Sequence, residues 1–257
     1  MSVIGKALET PAMVSAQLRN GSQQDSVVLV RDRTAYVVNS ERTMIVRVSL
    51  DDAFPAEIRW RSADWEDGAR SVETSGDTTV FRSSQTGAAR TKTCPAPQVR
   101  FNEVDDAWDR VSSAVEGLSG FILVGSVLRS NLDESLSHVE FWNQDGQLCI
   151  KQRDLYGGTL IELDLSLMAN DGAQLDIDRI AVRTKDFLGL FLIDGIGQQP
   201  TFRFGEHSTL VEGTTFQALL GNCIYDAMYS VGEIPSGRQE PEERPGEQGA
   251  DSEAEGP

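Results

Sequence analysis

At 257 residues and a formal net charge of −17, the chain is long enough to bury a substantial core in one large or two ordinary domains, and too acidic for a generally basic nucleic-acid coat. Its three cysteines, Cys94, Cys149 and Cys223, lie far apart and form no CxxC pair, which argues against a metal cluster or a disulfide framework. The longest apolar runs, Phe121 to Val124 and Phe187 to Ile193, fall far short of the roughly 20 residues a membrane-spanning helix needs. With no signal-peptide layout at the N-terminus, the expectation is a soluble protein of a reducing, cytoplasmic compartment.

In chain order, Val3 to Leu8 suits a strand, and Thr10-Pro11 reads as a helix start, with threonine as the cap and proline at the first helical position. That helix is expected to run to about Arg19 and to end at Asn20-Gly21. Ser26 to Val30, Thr34 to Asn39 and Thr43 to Leu50 are β-branched or alternating segments between charged turns, the pattern of an antiparallel meander. A strand at Glu57 to Arg61, a short helix at Ala63 to Arg70, and strands at Thr78 to Arg82 and Ala89 to Thr93 follow. Pro95 and Pro97 then favour an extended connector leading into the acidic Glu103 to Asp109.

The same order recurs downstream. Val111 to Val115 reads as a strand and Ser119 to Arg129 as a helix. Val139 to Trp142 pairs with Leu148 to Arg153 across Asn143 to Gly146, whose Asp-Gly is a hairpin signal. Leu160 to Leu165 alternates apolar and acidic residues, Ile177 to Arg183 is a strand, and Lys185 to Ile193 is an apolar helix. Pro200 to Phe204 and Thr209 to Val211 close the sheet. Phe216 to Val231 is apolar, has no counterpart in the first half, and stays unassigned. From Pro235 onward proline, glycine and glutamate dominate, a composition expected to be disordered.

The recurrence extends to individual residues. Val3 to Asn20 and Val111 to Ser130 share a layout ending in Leu18-Arg19 and Leu128-Arg129, an offset of 110 residues. Ile58 to Trp65 parallels Ile180 to Phe187, placing Arg61 opposite Arg183 at an offset of 122. A duplicated domain is the economical explanation: units at 1–93 and 110–234, a connector at 94–109, and a tail at 235–257. The fold class expected is α+β, with antiparallel sheets and two helices per unit.

Nothing in the sequence points to catalysis. His138 and His207 are the only histidines, and neither has metal-ligand spacing. Gly205-Glu-His-Ser208 reads as a turn, no GxSxG elbow occurs, and Gly195-Ile-Gly197 lacks the rest of a nucleotide-binding fingerprint. The chain is therefore expected not to be an enzyme, and no cofactor or metal is expected.

The ordering of these elements resembles the DNA-polymerase sliding clamps, the processivity factors of tailed phages, which share their architecture with proliferating cell nuclear antigen. The residues carrying the resemblance are Val111 to Val115 with Leu128-Arg129, the hairpins of Val139 to Leu165, Ile180 to Ile193, and Phe204-Gly-Glu-His207. In the first half they are Ala89 to Pro95 and the proline-containing connector. The likeness covers roughly residues 1 to 213.

It implies a DNA-clamp fold, a head-to-tail ring of three copies, sheets forming the outer wall, and helices lining a hole through which duplex DNA passes. A sliding ring needs only diffuse cation contacts to phosphates, which carry no sequence information. Arg19, Arg129, Arg61, Arg183 and Lys185 are the expected phosphate contacts, with Arg70 at the end of its helix as a further candidate. The resemblance also implies a replicative DNA polymerase and a clamp loader as partners, inserting peptides near the connector, where Val99 and Phe101 are the candidate contacts.

Asp64, Glu66, Asp67 and Asp186 run against this expectation by placing negative charge near the same elements. Helix-end arginines also serve simply to complement helix dipoles. Two other readings stay open at this level: a phage virion or tail-assembly protein built from duplicated β-rich domains, and a binding module that grips a protein partner.

Overall fold

Two signals compete in the first 22 residues: the strand-like opening with its proline break, and a row of small or apolar residues at helical spacing. In a computed structural model of the chain, which describes residues 3–22, 25–85, 88–115, 120–122, 129–144, 147–153, 160–164, 179–193 and 200–223, the second wins. One helix, α1, spans Val3–Ser22 with Pro11 inside it. Leu8, Ala12, Ser15 and Leu18 are all buried, at the spacing of one helix face. Burial of that stripe outweighs the single ladder bond that a proline removes.

The expected meander of short strands is two long ones. β1 (Ser26–Asn39) and β2 (Met44–Arg61) pair antiparallel in two blocks, Val27–Val30 with Ile58–Arg61 and Thr34–Val38 with Ile45–Ser49. The charged Arg31 to Arg33 is a register shift around Asp32, whose φ is 51°, and not a turn. An inserted residue kinks a strand without ending it, so the sequence break marks a bulge.

The helix expected at Ala63 to Arg70 shrinks to one 3-10 turn, Ser62–Asp64. A small sheet follows, made of β3 (Ala69–Ser75), β4 (Thr78–Gln85) and β5 (Ala88–Pro95) in that order. Arg70 therefore lies on a strand. The proline stretch 96–100 is neither helix nor strand, and the acidic segment it leads into is helical, since α2 spans Phe101–Ser113. Phe101, Val104 and Trp108 are buried at helical spacing, and Glu57 Oε2 accepts the otherwise unpaired N–H of Phe101 at 3.3 Å. The strand expected at Val111 to Val115 falls on the end of that helix. Within the helix expected at Ser119 to Arg129, Gly120–Ile122 form β6, residues 123–128 lie outside the described residues, and Arg129 to Asn131 are helical.

Downstream the expectations hold closely. β7 (His138–Gln144) pairs with β8 (Gln147–Arg153), and β8 with β9 (Leu160–Asp164). β10 (Arg179–Arg183) leads directly into α3 (Thr184–Leu190), followed by β11 (Thr201–Phe204) and β12 (Ser208–Glu212). The unassigned apolar segment supplies β13, Phe216–Cys223. The expected tail lies outside the described residues.

Among the described residues ten strands form one sheet, ordered β6-β11-β12-β13-β10-β7-β8-β9, with β2 also on β13 and β1 on β2. β13 is the joint: Phe216–Leu220 pair with Met44–Val48 of β2, Gln217–Gly221 with β12, and Asn222–Cys223 with β10.

Alternation along β1 sorts the packing. Val28, Val30, Ala35 and Val37 join one apolar cluster with Leu8, Val14 and Leu18 of α1 and Phe187, Leu188 and Leu190 of α3. Leu29, Tyr36 and Val38 face the other way and pack with Phe101, Val104 and Trp108 of α2. The period-two alternation of a strand thus puts α1 and α3 together on one sheet face and α2 on the opposite one.

Candidate nucleic-acid interface

Two of the expected cations, Arg19 and Lys185, lie on α1 and α3 themselves. α1 packs against both α3 and the 3-10 turn at Ser62–Asp64, and a side chain at Gly189 of α3 would sit 3.9 Å from Leu18 Cδ2. Leu18 is buried and Arg19, next along the helix, is exposed, as a helix surface requires of neighbours 100° apart. Arg61 and Arg183 end their strands in the same extended conformation, at φ −89°, ψ 147° and φ −67°, ψ 130°. Each precedes a helical turn, so the sequence parallel between them is also a parallel of local structure.

A buried glutamine ties Asp133, four residues past Arg129, to α3. Gln152 Nε2 donates to the Asp133 carbonyl at 3.0 Å and to Thr184 Oγ1 at 3.3 Å, while its Oε1 accepts from Asp133 N at 2.7 Å. The segment just after Arg129 is thereby tied to the first residue of α3, and Lys185 follows it. Arg70, on β3, belongs to a different sheet.

The cations divide by what they touch. Arg82 pairs with Glu73 at 2.9 Å, Arg90 with Glu66 at 3.3 Å and Arg203 with Glu212 at 2.9 Å. Arg183 is held by Glu41. By contrast Arg19, Arg61, Arg70, Arg129 and Lys185 are exposed and have no ion-pair partner among the described residues. A free cation in water attracts phosphate without first breaking a contact.

Of the four acidic residues that ran against the expectation, Asp186 and Glu66 are committed to contacts within the protein. Asp186 is 2% exposed and turned into the protein, where it accepts from Thr43 Oγ1 at 2.6 Å and from Asn39 Nδ2 at 3.2 Å. Burial pushes its pKa up, against the hydrogen bonds from Thr43 and Asn39 and the charge of Arg183. Glu66 accepts from Ser83 Oγ at 3.1 Å and pairs with Arg90. Asp67 stays exposed. With Glu9 it flanks a cavity of about 470 Å³ between α1 and Trp65, beside Met13, which is 43% exposed.

Val99 and Phe101 are packing residues here. Phe101 is buried, its ring centroid 5.2 Å from that of Tyr36 and capped by the Arg31 guanidinium at 4.7 Å, and Val99 packs against the same cluster. Sequence reading missed Glu41 and Gln152. Asn39-Ser-Glu-Arg-Thr43 is recognisably a turn, but its partner across the fold is invisible in sequence. No group of three or more His, Cys, Asp or Glu among the described residues could hold a metal ion, and no described helix is long and apolar enough to cross a membrane.

No protein-family model and no curated protein matches the sequence. Solved structures do match its fold. A Helicobacter pylori beta clamp bound to a DNA ligase peptide superposes with a TM-score of 0.56 and 11% identity over 84% of this chain and 63% of its own. A candidate DNA polymerase III beta subunit from Eubacterium rectale gives 0.54 and 10%, over 84% and 64%. Proliferating cellular nuclear antigen from Entamoeba histolytica gives 0.47 and 8%, over 84% and 95%. The chain spans less than two thirds of the length of the two bacterial proteins. Over 84% of its residues the chain shares the fold of those two proteins, a clamp-like fold of helices and antiparallel sheets.

Proposed function

We propose that this protein is a non-enzymatic DNA sliding clamp of the phage type, which encircles duplex DNA without reading its sequence and tethers a replicative polymerase to it. The observation that carries the reading is the set of exposed, uncommitted cations in a clamp-like fold: Arg19 on α1, Lys185 on α3, Arg61 just before the 3-10 turn that packs on α1, and Arg129 shortly before the segment that Gln152 ties to α3. Phosphate contacts of this kind position a protein on DNA and leave it free to slide. Arg183 is a conditional member of the set because Glu41 already holds it. Arg70, on a different sheet, is the weakest.

The chain is read as two clamp-like units, 1–93 and 110–234, with α2 occupying the second half of the 94–109 connector and extending beyond it. Three copies close head to tail. Support comes from the sheet edges: among the described strands β5 pairs only with β4, and β9 only with β8. Heterologous contacts whose rotation closes make a ring and cover such edges. The polymerase and a clamp loader are the partners, in the cytoplasm of the host cell, and the ligase peptide on the Helicobacter clamp is the precedent for peptide docking. Val99 and Phe101 enter such docking indirectly, by fixing where α2 lies.

Sedimentation equilibrium tests the assembly, with an expected mass near three times 28.1 kDa. A strictly monomeric protein at micromolar concentration would sink the ring. Loading onto nicked circular DNA followed by linearisation tests the topology: a ring stays on the circle and is lost from the linear product.

A further inference from the structure

Glu41 lies at the tip of the turn between β1 and β2, and that turn is fixed from several sides. Asn39 Oδ1 accepts the backbone N–H of Thr43 at 2.9 Å and of Met44 at 3.0 Å, and Asn39 Nδ2 donates to Thr43 Oγ1 at 2.9 Å. Arg42 adopts a left-handed φ of 57°, with its N–H on the Asn39 carbonyl at 3.0 Å. From beside the turn, Gly221 of β13 donates to the Thr43 carbonyl at 2.7 Å. A Cβ at Gly221 would stand 3.4 Å from that oxygen, so the two backbones are already close. From below, the buried Asp186 of α3 accepts from both Asn39 and Thr43. The turn is thus pinned to α3 and β13, and it delivers the Glu41 carboxylate onto the Arg183 guanidinium, both side chains about two fifths exposed.

We propose that Glu41 is a built-in stand-in for a DNA phosphate: it occupies Arg183 while DNA is absent, and DNA gains that contact only by displacing it. The inference rests on the clamp reading above and concerns the regulation of that same face. A carboxylate and a phosphate oxygen offer the guanidinium the same kind of charged acceptor, so one can replace the other. The arginine side chain needs only to rotate, since its backbone is fixed as the residue preceding α3. An ion pair this exposed is weak, so it subtracts from DNA affinity without abolishing the contact. The four uncommitted cations bind directly; Arg183 binds at a discount.

The experiment is fluorescence anisotropy of a labelled DNA duplex across a salt series, with wild type, Glu41→Gln, Arg183→Gln and the double variant, each checked for an unchanged melting temperature. Glu41→Gln is expected to tighten binding about two- to fivefold with the log–log salt slope little changed, since the Arg183–phosphate contact forms in both proteins. Arg183→Gln is expected to weaken binding about two- to fivefold more in the Glu41→Gln background than in wild type.

A Glu41→Gln protein that binds like wild type, or that only melts earlier, overturns the inference and makes the pair a structural brace. The variant Arg19→Gln, Arg61→Gln, Arg129→Gln, Lys185→Gln separates the two levels. If it loses binding while Glu41→Gln changes nothing, the clamp reading survives and only the stand-in falls. If it binds like wild type, the DNA face itself is misassigned and the stand-in falls with it.

Discussion

Replacing Asp186 by alanine removes the acceptor that ties α3 to the β1–β2 turn. Thr43 Oγ1 and one N–H of Asn39 lose their partner, the Asn39 donor in a site closed to water, with Asp186 2% exposed and Asn39 3%, and the half-buried Thr43 hydroxyl at its edge. Each stranded donor costs about 1–3 kcal/mol. The Asn39 amide keeps its bond to Thr43, and the alanine also removes a carboxylate whose burial is incompletely compensated, as its raised pKa indicates. The net loss is therefore set near the lower end, about 2 kcal/mol.

For a chain of this size that lowers the melting temperature by about 4–8 °C, readable by calorimetry. A double-mutant cycle with Thr43→Val isolates the contact, with a coupling of about 1–2 kcal/mol expected. The pH dependence has a definite sign. A carboxyl whose folded pKa lies above its unfolded value binds protons more tightly in the native state, so its contribution is fully present below the unfolded value of 3.8 and is lost as pH rises through the folded one. Asp186→Asn, which does not titrate, should therefore gain stability relative to wild type as pH rises from about 4 to 7. A loss below about 0.5 kcal/mol in the alanine variant, or a cycle with no coupling, refutes the account of this contact.

Charge reversal at Arg129 and Lys185 together should reduce retention on nicked circular DNA and flatten its salt dependence by about two phosphate contacts; unchanged loading removes both residues from the interface. Trp108→Ala empties the middle of the cluster under α2, where Trp108 is 2% exposed. Urea denaturation should show a loss of about 3–5 kcal/mol, and a loss under about 1 kcal/mol would mean that α2 is not held by packing. Tyr36 Oη donates to Asp105 at 2.6 Å, and burial together with that carboxylate pushes its pKa far up. In a spectrophotometric titration of the folded protein it should remain protonated after an ordinary phenol, with a pKa of about 10, has ionised, and Tyr36→Phe should abolish the late phase. Stability held by this proton is present below the unfolded pKa and lost above it.

The second half of the chain was more legible than the first. Its strands carry clean turn signals, as at Asp145-Gly146, and the paired strands β7 and β8 follow from them directly. In the first half two local rules pointed the wrong way. Thr10-Pro11 looks like a helix start but lies inside α1, because the stripe from Leu8 to Leu18 matters more than one missing N–H. Arg31 to Arg33 looks like a turn but is a bulge, because pairing resumes on the far side.

Pro95 and Pro97 correctly keep residues 96–100 out of a helix, yet they conceal that Phe101, Val104 and Trp108 form a helical stripe immediately afterwards. Arg61 and Arg183 stand out in the sequence because they recur in matched segments. The contacts that neutralise or tie them, Glu41 on Arg183 and Gln152 on Thr184, join residues 142 and 32 apart in the chain, and such pairings leave no local trace.

β13 sets a schedule for making this protein. Its pairing with β2 joins residues 216–220 to 44–48, so on a ribosome adding about 5–20 residues per second the free edge of β2 waits roughly ten to thirty seconds for its partner strand to be synthesised. During that wait Met44, Val46 and Val48, which end up buried, border an unpaired backbone, the kind of edge that recruits foreign strands. A nascent chain stalled before residue 216 should therefore be a chaperone client, whereas a chain released after residue 223 should not.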